Sequence, residues 1–310
     1  MSIAEEPLPH DLELSKSLER LGRTLAEKAE RERQTATESA PQPKPPAKVV
    51  QLPLWPEPAR GVPNDALRSA LFAAIHRDRE YVEDRLIVAV DGTSIRYTGR
   101  QLEQSDLDVW EQVLHLARQH SLGTFCQFKG GAFLKAIGCC GGKTNYKWLA
   151  GALLRLTACA VVIKRRGYTH GRGLIASFDI DEHTGLYRVS VDPDMAKLYA
   201  AGWTAIDWQQ RQELRGKPLA LWLHGYYATH AKPLPVKVET LRNLSGSKTA
   251  ALFKFRQQLR KALGELKAIG AIASWQIDAA DLVTVDRGDA ITASQRRHLT
   301  RARPRRKRKG

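Results

Sequence analysis

A chain of 310 residues, 43% of them apolar, is long enough for two domains with real cores. A formal net charge of +16 favours a polyanionic partner, nucleic acid before anionic membrane. No apolar run reaches the roughly 18–20 residues of a membrane span, and the acidic start Met1–Glu6 lacks the basic and apolar regions of a signal peptide, so a cytoplasmic location is expected.

The charge is uneven. Residues 1–48 carry eight Lys/Arg and nine Asp/Glu, which leaves +17 on residues 49–310. The last fifteen residues, Arg296–Gly310, hold nine basic residues and no acid, so the part ahead of them is basic in its own right. The four cysteines, Cys126, Cys139, Cys140 and Cys159, form no C-x-x-C. An adjacent Cys139–Cys140 pair suits a tetrahedral metal site poorly, and reduced thiols are expected.

In chain order, Leu14, Leu18, Leu21 and Leu25 mark a narrow-striped helix over 12–34. Residues 35–48, rich in Pro, Ser and Thr, read as a flexible linker, so 1–48 is expected to be a disordered or linker region. Ordered structure is expected from Val49. Pro63-Asn64-Asp65 opens a helix carrying Leu67, Ala70, Leu71, Ala74 and Ile75. Arg85–Val90 and Thr93–Tyr97 form a hairpin about Asp91-Gly92. A helix follows Ser105-Asp106, with Leu107, Trp110, Leu114 and Ala117 on one face. A short strand over Phe125–Phe128 leads to helices Lys129–Ile137 and Asn145–Leu156, separated by the glycine-rich Gly138–Gly142. Strands Cys159–Lys164, Leu174–Asp179 and Leu186–Val191 close this module, with the basic segment RRGYTHGRG as a loop between the first two. A second module has helices Ile206–Leu214, Pro218–His230, Val238–Leu244 and Thr249–Ile269, then strands Ile272–Ile277 and Leu282–Val285. Helix, turn, helix and β-hairpin, twice over, is the winged-helix plan. The expected fold class is therefore α+β, with two tandem winged-helix domains over 61–192 and 193–286 and a basic disordered tail over 287–310.

The longest helix carries the strongest signal. Leu252, Phe255, Leu259, Ala262, Leu263, Leu266 and Ile269 make one apolar stripe. The reverse face holds Lys254, Gln257 and Lys261, with Arg260 at its flank. Lys248–Lys267 contains six Lys/Arg and one Glu, a bias in sign that an idle solvated helix does not need. Lys and Gln are suited to guanine and adenine edges in the major groove. Ser247, Lys248 and Thr249 are expected at the helix start, with Ser247 as cap and the free N–H groups facing phosphate. The corresponding candidates in the first module are Lys143, Asn145 and Lys147 on the helix, and Arg165, Arg166 and Arg172 on a loop resembling a basic wing. The alternative for each is a solvated surface.

Other motifs lead nowhere chemical. GCCGGKT, Gly138–Thr144, has three residues where a phosphate-binding loop has four, and it follows a helix instead of a strand. His115 and Arg118 read as a helix-surface pair and not as part of a recombinase site. The histidines have no ligand spacing, so no metal, no cofactor and no catalytic residue are expected. The tail RRHLTRARPRRKRKG is expected to bind phosphates without specificity. Gln51-Leu52-Pro53-Leu54-Trp55 reads either as a linker packed back on the first module or as a tethered peptide for a partner's apolar pocket.

QLPLWPEPARGVPNDALRSALFAAI, YTGRQLEQSDLDVWEQVLHLAR, GGKTNYKWL and the helix at 248–269 together resemble the TrfA family of plasmid replication initiators, over roughly residues 49–290. The resemblance implies two winged-helix domains, binding of iteron direct repeats by monomers in equilibrium with homodimers, and opening of adjacent A+T-rich DNA. It also implies recruitment of the host replicative helicase with DnaA, and binding of the sliding clamp through a Gln-Leu-x-Leu-Phe type peptide. Gln51, Leu52, Leu54 and Trp55 match that peptide, with Trp in place of the usual Phe. A winged-helix transcriptional repressor would need the same DNA surface but would have no use for Gln51–Trp55.

Overall fold

The computed structural model describes residues 23, 24, 26–28, 30, 50–76, 78–87, 94–165, 168–200, 202–292, 295 and 296; the side chains of 165, 168 and 170 are not described. Two compact units appear, Met1–Lys48 and Val49–Gly310. In the first, Arg23, Thr24, Ala26, Glu27, Lys28 and Glu30 are helical and exposed, within the helix expected over 12–34. The proline-rich linker and residues 297–310 of the basic tail lie outside the described residues.

The second unit is a mixed α/β structure with two hydrophobic cores. The first core runs from Leu52 to Trp208, the second from Leu214 to Val285. Its chain opens with β1 (Ala59–Pro63) and a single helical turn, α1 (Asn64–Leu67). The helix expected to reach Ile75 stops here, and Phe72–Ala73 is instead a short strand, β2. Strands β3 (Tyr81–Ile87) and β4 (Ser94–Arg100) pair antiparallel as expected; the Asp91-Gly92 turn itself is not described. β5 (Leu102–Glu103) pairs parallel with β2.

Helix α2 (Gln104–Ala117) starts with a capping box between Glu103 and Asp106. It is buried on nearly every side, with Leu107, Val109, Trp110, Val113 and Leu114 at 2% exposure or less. β6 (Phe125–Lys129), α3 (Gly130–Ala136) and α4 (Lys143–Ala158) follow. Next come β7 (Ala160–Arg165), β8 (Tyr168–Arg172), β9 (Ser177–Asp181) and β10 (Leu186–Ser190). Strands β3-β4-β7-β8 form one antiparallel sheet, and β6-β10-β9 a second.

Residues 193–208 belong to the first core, not to a second module that starts at 193. Met195, Leu198 and Tyr199 of α5 (Met195–Ala200) are buried there. β11 (Trp203–Asp207) pairs antiparallel with β1, register Ala59↔Asp207 to Pro63↔Trp203. Only its last residues lead into the helix expected from Ile206, which is α6 (Trp208–Glu213).

The second core is built from α7 (Pro218–Ala228), β12 (Val236–Lys237), α8 (Val238–Leu244), α9 (Leu252–Ala268), β13 (Ser274–Ile277) and β14 (Leu282–Asp286). The sheet order is β12-β14-β13. In both cores, then, a helix, a strand and two further helices precede a hairpin, and the last strand is the middle one of three. This shared order repeats without a clear sequence repeat.

The cores are tied together by buried polar groups. Arg211 of α6, 1% exposed, donates to Asp108 at 2.6 Å and to the Gln104 carbonyl at 3.2 Å, and lies 2.9 Å from Glu111. Trp222 of α7 donates to the Ser69 carbonyl at 3.0 Å, and Arg68 reaches Thr229 at 2.9 Å. Such desolvated pairs are costly to break one partner at a time, so they tie α2, on which α4 packs, to α6, and residues 68–69 to α7, on which α9 packs. The chain past β14 is also tied down. Arg287, 7% exposed, donates to the carbonyls of His230 and Ala290, so the expected tail does not start at 287.

Candidate nucleic-acid interface

Helix α9 buries Phe255, Leu259, Ala262, Leu263 and Leu266, which is the predicted stripe. That fixes its opposite side outward: Phe253, Lys254, Gln257, Arg260 and Lys261 are all exposed, and Lys254, Arg260 and Lys261 make no ion pair among the described residues. The helix starts at Leu252 with Ala251 as N-cap and no side-chain cap, so its first N–H groups stay available to an anion.

Three predicted contacts shift. Ser247 is not the cap of α9. Its N–H bonds the Arg242 carbonyl, closing the turn after α8, and its hydroxyl accepts from Thr249 N–H at 3.3 Å. Lys248 turns back onto the β3 side of the molecule, its ammonium within 2.9 Å of Glu80 and 3.1 Å of Asp78. Partial burial would lower its pKa, but these two carboxylates raise it. Thr249 donates to Gln258 at 3.0 Å. These contacts shape the turn ahead of the helix.

In α4, Lys143, Thr144 and Lys147 are exposed and Leu149, Ala152, Leu153 and Leu156 are buried. Asn145 is half-buried and donates to the Cys140 carbonyl at 2.8 Å. Arg155 is held by Asp106 at 2.7 Å. The N-cap is Gly142, again with no side-chain cap.

The basic segment expected as a wing is a hairpin of a different sheet. β7 and β8 extend the β3-β4 pair, so this hairpin belongs to that sheet and not to β6-β10-β9. Arg166 and the side chain of Arg165 lie outside the description, and Arg172 pairs with Asp192 at 2.7 Å. The turn that follows β9 is acidic instead: Asp181 closes it by accepting from the N–H groups of His183 and Thr184. Asp278 does the same after β13, for Ala280 and Leu282.

Two grooves join the helices. One, of about 610 Å³, is lined by Asn145, Trp148 and Arg155 of α4 and by Arg100, Arg215 and Lys217. The other, of about 520 Å³, is lined by Lys217, Lys248, Gln258, Lys261 and Glu265. They share Ile75, His76, Gly216, Lys217 and Pro218, so a trough of mixed charge, in which seven Lys/Arg outnumber the acids Asp78, Glu103, Asp108 and Glu265, leads from α4 to α9.

The segment Gln51–Trp55 is docked on the first core through two of its side chains. Leu52 is 3% and Trp55 5% exposed, while Leu54 is 78% exposed and Gln51 is also outside. Trp55 stacks on Tyr199, with ring centroids 5.9 Å apart, and its indole N–H donates to His115 Nδ1 at 3.1 Å. His115 Nε2 is 2.9 Å from Glu57, which Arg118 also binds. His115 and Arg118 are thus buried anchors of this segment and not a helix-surface pair. Burial and the nearby Arg60 bring the His115 pKa down to about 4, against the pull of Glu57. The imidazole is neutral, with its proton on Nε2.

Burial pushes the thiols of Cys126 and Cys159 up to about 11, while Cys140 is exposed. Among the described residues no His, Cys, Asp and Glu side chains group as metal ligands, and no helix is long and apolar enough to cross a membrane.

A family profile described as TrfA protein matches residues 19–287. The plasmid replication initiator protein TrfA of Escherichia coli is 31% identical, over 76% of this chain and 65% of that protein, so the chain spans just under two thirds of its relative. Among solved structures, domains 2 and 3 of RctB share 12% identity at a TM-score of 0.48, over 66% of this chain and 85% of theirs. The Pi initiator protein in complex with iteron DNA shares 11% at a TM-score of 0.45, over 64% and 100%. With a family match that reaches across most of its length, this chain belongs to the TrfA family.

Proposed function

We propose that this protein initiates plasmid replication by binding iteron direct repeats in double-stranded origin DNA through two winged-helix domains. The observation that carries the reading is the outward face of α9: Lys254, Gln257, Arg260 and Lys261 exposed on a helix whose other face is locked into a core. A second outward helix, α4, stands on the same frame, and Arg100, Arg215 and Lys217 in the trough between them suit the phosphate backbone between two major-groove contacts. Membership of the TrfA family supports the same assignment.

The protein acts by binding energy. Monomers on adjacent repeats deform the duplex, and neighbouring A+T-rich DNA opens where deformation costs least. Recruitment of helicase with DnaA and the monomer–dimer equilibrium are carried into this proposal by the family resemblance. A clamp contact through Gln51, Leu52, Leu54 and Trp55 requires Leu52 and Trp55, which are core side chains, to leave the core.

The test is a gel-shift titration on duplex DNA bearing the direct repeats of the parent replicon's origin, against scrambled DNA, at two salt concentrations. Stepwise complexes, one per repeat, are expected. Equal binding to both DNAs that salt erases would reduce the protein to a basic tail on a polyanion and overturn the reading.

A further inference from the structure

Phe253 is the odd residue on the outward side of α9. It stands at the second helical position, 63% exposed, in a helix that buries Phe255, Leu259, Leu263 and Leu266. One exposed ring alone would be ordinary. Its surroundings are not. Phe253, Gln257, Arg260 and Gly264 recur at steps of three and four residues, which makes one stripe opposite the buried one. Lys254 and Lys261 flank it. The acid of this helix, Glu265, is turned toward Lys217 at 3.6 Å.

Gly264 is the second observation. A helix interior disfavours glycine, and here a side chain would meet nothing: a Cβ placed on Gly264 has no neighbour within 4 Å. Among the described residues, therefore, no packing requires the missing side chain. A surface that approaches the helix backbone closely would. The stripe thus joins an apolar ring, a polar reader, a cation and a gap on one face.

A protein partner for the ring would need acids to meet Lys254, Arg260 and Lys261 around it. The DNA major groove offers the matching pattern directly: phosphate walls for the cations and, on its floor, the thymine 5-methyl as the apolar point. We infer that Phe253 is a specificity-determining residue that packs on a thymine methyl in the major groove, with Gly264 admitting the duplex at close range. The inference rests on the DNA-binding reading above.

The chemical test removes the methyl without touching the protein. Binding duplexes are first selected from a random pool with the full chain, then resynthesised with deoxyuridine for thymidine. Wild-type protein is expected to bind the uracil duplex about fourfold more weakly, the effect of one buried methyl-sized group. Phe253→Ala is expected to bind the thymine duplex more weakly by a similar factor and to be indifferent to the exchange. Equal sensitivity of wild type and Phe253→Ala to uracil, or unchanged binding by Phe253→Ala, overturns the inference while DNA recognition stands. Failure to select any duplex overturns the DNA-binding reading and this inference together.

Discussion

Lys129 and Lys237 occupy the same position in the two halves of the molecule. Each is the last residue of a first strand and the N-cap of the next helix. Each donates its ammonium to a carbonyl in the distal hairpin turn, Lys129 to Thr184 at 2.8 Å and Lys237 to Ala280 at 2.6 Å. The carbonyl in both cases immediately precedes a left-handed residue, Gly185 at φ 65° and Asp281 at φ 62°. Nine residues after each lysine comes another left-handed glycine, Gly138 at φ 70° and Gly246 at φ 64°. These correspondences make α4 the counterpart of α9, and they make the acidic turn 182–185 the counterpart of turn 278–281. The basic β7–β8 hairpin has no counterpart among the described residues of the second half.

Within the basic residues near α9, position decides function. Lys254→Ala and Lys261→Ala should each weaken repeat binding about tenfold, within the range of a lost groove contact, and lower the salt slope by about one where phosphate is the partner. Lys248→Ala, whose ammonium is committed to Glu80 and Asp78, should change affinity less than about twofold. Titrations of the three variants at moderate salt check the contrast. Equal losses would mean that bulk charge and not the helix face binds DNA.

Trp55 is expected to matter for stability. Its ring is enclosed by Tyr199, Trp203 and His115, and Gly61 lies beneath it where any Cβ would collide. Trp55→Ala should cost about 3–5 kcal/mol, the range for emptying an aromatic core site. Leu54→Ala, at an exposed position, should cost little. Urea unfolding of both variants measures the difference, and equal midpoints would show that the segment is not docked.

These two residues mark what was legible in the sequence. The 252–269 stripe repeats over five turns, so its buried and outward faces could be read by periodicity alone. Gln51–Trp55 is too short for periodicity, and its burial depends on Tyr199 and Trp203, about 150 positions away. The β1–β11 pairing is non-local in the same way, so the sequence pattern assigns Ile206 and Asp207, the last two residues of β11, to a helix. The ion pairs that occupy Lys248 and Arg172 are likewise set by tertiary contacts. Phe253 lies off the apolar stripe, and an aromatic at that position is the signal that singles it out.

Protonation of His115 should loosen the leading segment. Its folded pKa, about 4, lies below the ordinary histidine value because burial and Arg60 disfavour the cation. Between those two pH values the unfolded chain binds more protons, so stability falls as pH drops through this window and is fully present above it. A proton on Nδ1 would also remove the acceptor for the Trp55 indole N–H. Urea midpoints between about pH 7 and pH 4 should therefore fall more steeply for wild type than for His115→Gln. Parallel curves would assign the acid sensitivity to other groups.

Asp281 holds a left-handed backbone that its counterpart assigns to glycine. Side chains resist this conformation because Cβ crowds the following carbonyl. Asp281 keeps it by local compensation: Arg256 of α9 binds its carboxylate, and its N–H bonds the Asp278 carbonyl at 3.2 Å. Asp281→Gly loses the ion pair but relieves the backbone, so stability should change little. Asp281→Ala loses the same pair and keeps the crowding, and should be less stable than Asp281→Gly by about 1 kcal/mol. Urea midpoints of the two variants compare only the backbone effect, since both lack the carboxylate. If alanine were as stable as glycine here, the left-handed geometry shared by Gly185 and Asp281 would not be a constraint on the turn.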